Sequence, residues 1–501
     1  MKPKNILPGF LIALLFAAPA CKKVLDQPVL GSYETYNFFT SDANAKASVN
    51  AAYNPLTFTD ASSNAIWVLG DVASDDAIKG GLPGDQADFD NVDKFNILPS
   101  NSAVEAVWRR YYDGVLKCNV VLDGLPATNT AVSDAVKKSA IAQAKFLRAF
   151  YYFTLTTTYG DIPLRIKVET PEELQSPALP QAQIFAQVSS DCNAAAADLP
   201  VSWSGPDLGR ATKGAALALL AKSLLFQQKW DSAALIAAQV EALNVYKLTP
   251  NFTDNFRAAT KDNPEAIFSA WHLSGASPFQ GNNLNQWMAP RSVNGYGFFY
   301  PTQSLVSNFE KSAAGVDDPR LDYTVARSGH TYYDMAFNPA WSTTGFITKK
   351  HIQPLSEIPS NIKGNGNLNY EIIRFAELLL IKAEALNEAG KSADALVPLN
   401  AVRKRARESY LNDQTLPGAG AVPPGLLPDI TVTNQSGLRD LIRKERRSEL
   451  ALEFHRFFDV VRYGSAYAAT AMQDQPNFNY AANKYFPIPQ SERDTNKKLG
   501  K

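Results

Sequence analysis

Three stretches of the chain carry apolar residues at helical spacing or on nearly every side of a helix. The first, "SAIAQAKFLRAFYYFTLTTTYGDIPL", stops at Gly160 with Pro163 shortly after, which is the usual signal for the C-terminal end of a buried helix. A second helix is predicted over "GAALALLAKSLLFQQ", and a third over "YEIIRFAELLLIKAEALNEAG", ending at Gly390. This pattern predicts a mostly α-helical body.

The second and third helices begin the same longer pattern. Both copies carry matched residues, most of them small or large apolar side chains, at offsets of 0, 4, 7, 11, 16 and 20. The first copy consists of Leu217, Ala221, Leu224, Gln228, Ala233 and Ala237, and the second of Leu379, Ala383, Leu386, Gly390, Ala395 and Leu399. A helix, a short turn and a second helix in this register resemble a tetratricopeptide repeat, whose alanines let paired helices approach closely. We therefore predict a scaffold of tetratricopeptide-like helix pairs with long insertions between them.

The predicted insertions, residues 60–102 and 272–368, have a different composition from the helices. They are rich in Gly, Asn, Asp, Pro and aromatic residues, as in "GDQADFDNVDKFN" and "FQGNNLNQWMAPRSVNGYGFFYP". Long loops within a compact domain are usually either functional or disordered, and the aromatic content argues against disorder. We expect these loop-rich insertions to build the ligand-binding half of the molecule.

Composition narrows the choice of partner. The chain has 501 residues, of which 45% are hydrophobic, so it can bury a large core. Its 49 basic residues balance its 49 acidic ones. Because nucleic acid or an anionic membrane surface would select a basic excess, neither is expected as a partner.

The N-terminus resembles an export signal. Lys2 and Lys4 precede the apolar run "ILPGFLIALLFAAPA", which is too short to span a membrane and ends in small residues. Cys21 follows directly, as in the lipobox of bacterial lipoproteins, although Ala18 stands where Leu is usual. We predict a signal peptide at 1–20 and a lipidated Cys21 with its tether at 21–40; ordinary cleavage is the alternative. Cys118 and Cys192 are too few for a disulfide scaffold or a cysteine metal cluster.

The segment "ERRSELALEFHRFFDVVRYG" places Glu445, Glu449 and Glu453 at every fourth position. On a helix these carboxylates would share one face, and their mutual repulsion is unfavourable unless nearby cations form ion pairs with them. The cations expected to do so are Arg446, Arg456, Arg374 and Arg403. His455 is two residues from Glu453, so it does not match the Glu-x-x-His spacing of a di-metal bundle, and no metal site is predicted. A catalytic carboxylate pair remains an alternative, because glycosidases need no local motif.

That same segment resembles the C-terminal signature of the SusD/RagB family of outer-membrane nutrient-binding lipoproteins. Six further blocks occur in the family's order: "LRAFYYFTLTTTYGDIPL", "GRATKGAALALLAKSLLF", "DDPRL", "RFAELLLIKAEALNEAG", "LNAVRKRA" and "YFPIPQSE". The resemblance implies four tetratricopeptide-like helix pairs within a single domain at 41–501. It divides that domain into an N-terminal region at about 41–230 and a C-terminal region at about 260–501.

The resemblance also implies a function and a partner. The family binds nutrients at the cell surface, commonly a glycan oligosaccharide, and delivers them to a SusC-like TonB-dependent outer-membrane barrel. It implies neither a catalytic activity nor a cofactor, so the glutamates are interpreted as a structural charge network. The alternatives are a secreted glycan-degrading hydrolase and a related binder of peptide or other cargo.

Candidate ligand-binding residues are chosen by chemistry from the insertions. A sugar needs flat aromatic faces for its C–H surface and amide or carboxylate groups for its hydroxyls. The aromatic candidates are Trp287, Tyr296 and Trp341, and the polar ones are Asp75, Asp76 and Asn101. Trp67, Trp108 and Trp230 are assigned to the core because each lies in or beside a helical apolar pattern.

Overall fold

The computed structural model describes residues 38–293, 295–358 and 364–499. The predicted signal peptide, Cys21 and nearly all of the tether lie outside these ranges. Within them, seventeen α-helices form the bulk of the fold. They are α1 (Asp42–Tyr53), α2 (Ala87–Asp93), α3 (Ser102–Gly124), α4 (Asp134–Tyr159), α5 (Gln181–Asp198), α6 (Lys213–Phe226), α7 (Trp230–Glu241), α8 (Leu284–Met288), α9 (Gln303–Asn308), α10 (Pro319–Thr324), α11 (Phe375–Glu388), α12 (Ser392–Asn412), α13 (Gln435–Glu449), α14 (Arg456–Arg462), α15 (Ser465–Ala471), α16 (Tyr480–Asn483) and α17 (Gln490–Thr495).

Eight short strands make four two-stranded antiparallel sheets in the described residues. The strands are β1 (Ala77–Gly80), β2 (Ala266–Ala270), β3 (Phe298–Pro301), β4 (Val325–Ala326), β5 (Thr331–Tyr332), β6 (Met335–Ala336), β7 (Ile347–Thr348) and β8 (Tyr370–Arg374). The pairs are β1 with β3, β2 with β8, β4 with β7 and β5 with β6. The fold is therefore mostly α-helical, as predicted.

Consecutive long helices pack on one another to form the scaffold. Helix α3 packs on α4, α4 on α5, α5 on α6 and α6 on α7. Helix α4 ends where the sequence predicts: Gly160 has φ 77°, and its N–H donates to the Thr156 carbonyl at 2.9 Å. A Cβ at Gly160 would lie 2.9 Å from the Tyr485 ring. Glycine is required there both for the left-handed backbone and for the close ring contact.

The two repeat copies correspond to the pairs α6/α7 and α11/α12, and they are neighbours in space because α7 packs on α11. The turn between the helices has the same conformation in both copies. Gly390 has φ 77° and the equivalent Gln228 has φ 57°, so both occupy the left-handed region that glycine favours. The long segment between the copies is looped out of a continuous helical stack.

The predicted third helix is wrong at its N-terminal end. Tyr370–Arg374 forms strand β8 and pairs with β2, and the helix begins only at Phe375. All five strand residues are buried, and the β-branched Ile372 and Ile373 favour a strand packed on both faces. The strand brings Arg374 into the centre of the molecule.

Aromatic side chains pack together in the described parts of the insertions. A π-helix spans Val68–Val72, and the fully buried Trp67 packs edge-on against Phe89, Trp287 and Phe299. One hydrophobic core cluster contains residues from both the helices and these loops. No helix in the described part of the chain is long and apolar enough to span a membrane.

Candidate functional site

The three glutamates of the stripe lie at the centre of a buried ion-pair network. Glu445 and Glu449 are on α13, but that helix ends at Glu449, so Glu453 lies in the turn that follows it. The network contains five carboxylates and five cations, which are Glu265, Asp318, Glu445, Glu449 and Glu453 with Arg320, Lys350, Arg374, Arg403 and Arg405. Each of these side chains is at most 4% exposed.

Arg374 and Arg403 reach the stripe as expected. The Arg374 guanidinium lies 3.0 Å from Glu449 Oε1 and 2.7 Å from Glu453 Oε1. Arg403 Nη1 lies 2.7 Å from Glu445 Oε2. The remaining cations, including Arg320 from "DDPRL", come from segments that no local spacing connects to the stripe.

Arg446 and Arg456 form ion pairs with other carboxylates, so the prediction that they pair with the glutamate stripe is wrong. Arg446 binds Glu377 at 2.9 Å and Asp459 at 2.7 Å, because it projects from a different side of α13. Arg456 binds Asp75, with Nε 2.7 Å from Oδ1 and Nη2 2.9 Å from Oδ2. Arg456 therefore belongs to a neighbouring buried charge cluster.

The turn after α13 is fixed by the first insertion. Asp71 accepts the backbone N–H groups of Phe454, at 2.8 Å, and Arg456, at 3.1 Å. The Phe454 backbone comes so close to Gly70 that a Cβ there would lie 2.2 Å from the Phe454 carbonyl oxygen. Any larger residue at position 70 would displace the turn that carries Glu453.

The electrostatics of the network indicate a structural role. Burial alone would raise the pKa of Glu453, but Arg374 and Lys350 outweigh it and lower that pKa to about 2. Glu449 is likewise held ionised, since Arg405, Arg374 and Arg320 outweigh burial and lower its pKa. Paired, desolvated carboxylates of this kind lack the raised pKa of a general acid. Among the described residues, no group of three or more His, Cys, Asp or Glu side chains is placed to hold a metal ion.

Three of the predicted ligand-binding residues form ion pairs or hydrogen bonds within the protein. The side chains of Asp75 and Asp76 are at most 8% exposed and are paired with Arg456 and Arg447. Asn101 caps α3: its Oδ1 accepts the N–H groups of Ala103 and Val104, and its Nδ2 donates to the Asp88 carbonyl. Their predicted role in ligand binding is wrong, because every one of these polar groups faces the protein interior.

The predicted aromatic residues come together around strand β3 but differ in exposure. Trp287 is 8% exposed; its Nε1 donates to Asn283 Oδ1 at 2.7 Å, and its ring contacts Trp67 and Phe298. Tyr296 is 43% exposed and packs edge-on against Trp287, with centroids 5.6 Å apart. Trp287 is therefore a supporting core residue, and Tyr296 is the accessible ring.

Trp341 lies close to β3 and is half-buried. It ends the 3₁₀ turn Pro339–Trp341 and contacts Tyr332 and Phe337. Its carbonyl accepts the Tyr300 hydroxyl at 3.1 Å, which ties this turn to β3. Burial raises the pKa of the Tyr300 hydroxyl above its ordinary value.

Tyr296, Tyr300 and Trp341, with Arg291 and Asp85, form what we call the β3 aromatic surface. Arg291 Nη1 lies 3.1 Å from Asp85 Oδ2, and both side chains are about half exposed. Glycines shape this corner, since Gly81 N–H donates to the Gly297 carbonyl and a Cβ at Gly80 would collide with Tyr300. The surface presents the exposed Tyr296 ring and the half-buried Trp341 ring beside the Arg291 donor and the Asp85 acceptor, whereas Tyr300 is only 4% exposed.

Several residues of the site escape sequence reasoning. Arg291 and Asp85 are 206 positions apart and carry no motif. Arg320, Arg405, Lys350 and Glu265 join the network only through tertiary packing. Trp203 and Trp271, which the structure leaves partly or well exposed, could have been found as aromatic residues in Gly/Ser/Pro-rich loops.

Two family models match this chain. The model described as the SusD family covers residues 264–501, and the model described as "Starch-binding associating with outer membrane" covers residues 32–225. The chain belongs to the SusD family. The resemblance recognised in the sequence is thus confirmed along most of the chain.

Known SusD-like proteins share both sequence and fold with it. "SusD-like protein P2" of Formosa agariphila is 26% identical, with 97% of each chain covered. The crystal structure of a SusD-like carbohydrate binding protein from Bacteroides fragilis is 26% identical with a TM-score of 0.77, covering 92% of this chain and all of that one. A laminarin binding SusD-like protein is 27% identical with a TM-score of 0.74, covering 92% and 99%.

Proposed function

We propose that this protein is a cell-surface glycan-binding lipoprotein that captures an oligosaccharide and delivers it to a SusC-like TonB-dependent outer-membrane transporter. The observation that carries the proposal is the β3 aromatic surface in a chain of the SusD family. Rings stack on the C–H faces of sugars, and the Arg291–Asp85 pair supplies a donor and an acceptor for hydroxyl groups. The laminarin-binding relative makes a β-glucan the first ligand to test.

A hydrolase is the rival, and the carboxylates of the stripe and of the predicted or observed aromatic site do not favour it. A glycosidase needs two carboxyl groups about 5 to 9.5 Å apart that both face the bound sugar. Asp75, Asp76, Glu445, Glu449 and Glu453 are instead buried and paired with cations. Asp85, which does lie at the β3 aromatic surface, is bound to Arg291. We therefore propose binding of the glycan without cleavage.

The anchor and the transporter complete the proposed function. Acylation of Cys21 holds the mature protein in the outer membrane, since a lipoprotein with more than one acyl chain anchors stably. The helical scaffold is the proposed contact surface for the barrel, because stacked helix pairs present broad faces to partners. Cys21→Ala should release the protein from the membrane fraction of cells that lack the barrel. Purification from native membranes without a co-eluting barrel would contradict the proposed partnership.

Calorimetry and an end-group assay test the binding proposal. The mature protein without its lipid is titrated with laminarihexaose, maltohexaose and xylohexaose, and each mixture is then assayed for new reducing ends. We expect saturable binding of at least one hexasaccharide with no increase in reducing ends. New reducing ends would establish the hydrolase, and binding of peptides alone would establish a different cargo.

A further inference from the structure

A second aromatic groove lies between the α5–α6 connection and the segment that follows β2. Two adjacent cavities of 490 and 290 Å³ share Leu208, Gly209, Arg210, Ser269 and Trp271 as lining residues. None of the residues that line them belongs to the β3 aromatic surface. The larger cavity alone is within the roughly 300–1,000 Å³ typical of small-ligand sites.

Exposed apolar side chains are concentrated at this groove. Trp271 is 36% exposed, Phe279 38% and Leu208 40%, and all three line the larger cavity. Trp203 lines the smaller one. A soluble protein seldom leaves neighbouring aromatic rings open to water without a binding partner.

The two tryptophan rings of the groove, Trp271 and Trp203, are held in place by contacts with the protein. Gly209, at φ 85°, lets the Trp271 indole pack against the backbone, where a Cβ would lie 2.8 Å from Cδ1. Lys261 Nζ lies 6.0 Å from the Trp271 ring centroid and is itself fixed by the carbonyls of His272 and Asn367. Trp203 Nε1 donates to the Ala211 carbonyl at 2.8 Å.

Three exposed side-chain amides contribute to the polar lining of the larger cavity. Asn50, Asn54 and Gln280 line the larger cavity and are exposed. Their side-chain amides form no hydrogen bond to another residue in the described part of the chain, whereas the charged Arg210 is already paired with Asp207 at 2.7 Å. Free amides beside fixed rings suit a neutral polyhydroxylated ligand, because each amide both donates and accepts a hydrogen bond.

We propose that this groove is a second binding site for a neutral oligosaccharide, with Trp271 and Phe279 as stacking faces and Asn50, Asn54 and Gln280 as hydroxyl partners. The inference rests on the proposed glycan-binding function and extends it, since two sites on one chain let the protein hold one polymer at two points. Two linked contacts raise the overall affinity for a long glycan above that of either site.

Stoichiometry tests the second site. Laminarihexaose, maltohexaose and xylohexaose are titrated calorimetrically into the wild type, Trp271→Ala/Phe279→Ala and Tyr296→Ala/Trp341→Ala. We expect two hexasaccharides per wild-type chain and one for each double variant. Asn50→Ala/Asn54→Ala, which changes only exposed side chains, should weaken the groove site and guards against misfolding of the aromatic variant. The single variant Trp271→Tyr keeps an aromatic stacking face, so it should still bind a hexasaccharide at the groove.

The other possible results distinguish failure of the second site from failure of the proposed glycan-binding function. A groove variant that binds sugar with wild-type stoichiometry overturns the second site and leaves the proposed function intact. A wild type that binds none of the three hexasaccharides overturns both. Unchanged sugar binding together with loss of a co-purifying protein would assign the groove to a protein partner.

Discussion

The ion-pair network and the β3 aromatic surface differ in the solvent exposure of their side chains. Glu449 and Arg374 are at most 1% exposed and bound on several sides by opposite charges. Tyr296 and Arg291, in contrast, are nearly half exposed. Removing a residue from the network leaves an uncompensated buried charge, whereas removing one from the surface leaves only a smaller contact area.

This difference in exposure indicates that one region stabilises the fold and the other is open to a ligand. Carboxylates that are conspicuous in the sequence stabilise the junction between α13, β8 and the loops. The inconspicuous rings and the Arg291–Asp85 pair are what an approaching ligand can touch. Stability and binding should therefore respond to separate sets of mutations.

The largest expected effect is on stability, from Glu449→Ala. Arg374, Arg405 and Arg320 would all lose a buried partner, so we expect a loss of about 3 to 5 kcal/mol in the free energy of unfolding. Denaturant titration measures it. Lys391→Ala removes an exposed pair with Asp231 and should change stability by less than about 1 kcal/mol. Equal losses in the two variants would refute the structural role of the network.

Trp287→Ala should also behave as a core mutation, although the residue was predicted to bind ligand. Its ring packs against Trp67, Phe89 and Phe298, and deleting such a ring costs about 3 kcal/mol or more. A melting temperature equal to that of the wild type, together with lost glycan binding, would return Trp287 to the binding surface.

The pH dependence of stability should follow the buried carboxylates in both directions. Glu453 has a folded pKa of about 2, below its ordinary 4.5, so its contribution is complete above pH 4.5 and is lost as the pH falls towards 2. Burial raises the pKa values of Asp71 and Glu371 to about 8, so their contribution is lost as the pH rises towards 8. We expect the melting temperature to be highest near pH 5. Glu371→Gln should flatten the decline on the alkaline side, and an unchanged decline would contradict this assignment.

The smallest effect on stability is expected at the β3 aromatic surface. Arg291→Ala removes an exposed ion pair, so it should change the free energy of unfolding by less than about 1 kcal/mol. Its effect on glycan affinity should exceed that of Lys391→Ala, which lies elsewhere on the surface. Calorimetric titration of both variants with the same hexasaccharide measures the contrast, and identical affinities would exclude Arg291 from the site.

Periodicity predicted the helices well because it is a local property. It failed at Tyr370–Arg374, where pairing with β2 overrides a pattern that also suits a helix. The charge partners of the stripe were predicted only in part, because Arg320, Lys350 and Glu265 reach it through tertiary packing. Asp75, Asp76 and Asn101 have the composition of a sugar site, but their burial is decided by Arg456, Arg447 and the start of α3.

The most direct test of the separation between scaffold and binding surface is the Tyr296→Ala/Trp341→Ala variant, compared with the wild type by calorimetry and thermal melting. We expect the affinity for the hexasaccharide at this site to fall by about tenfold or more, which is typical of aromatic contacts at the centre of an interface. We also expect a smaller loss of stability than in Trp287→Ala, because Tyr296 is 43% exposed and Trp341 is half-buried, whereas Trp287 is 8% exposed. Wild-type affinity in the folded variant would show that Tyr296 and Trp341 do not bind the glycan.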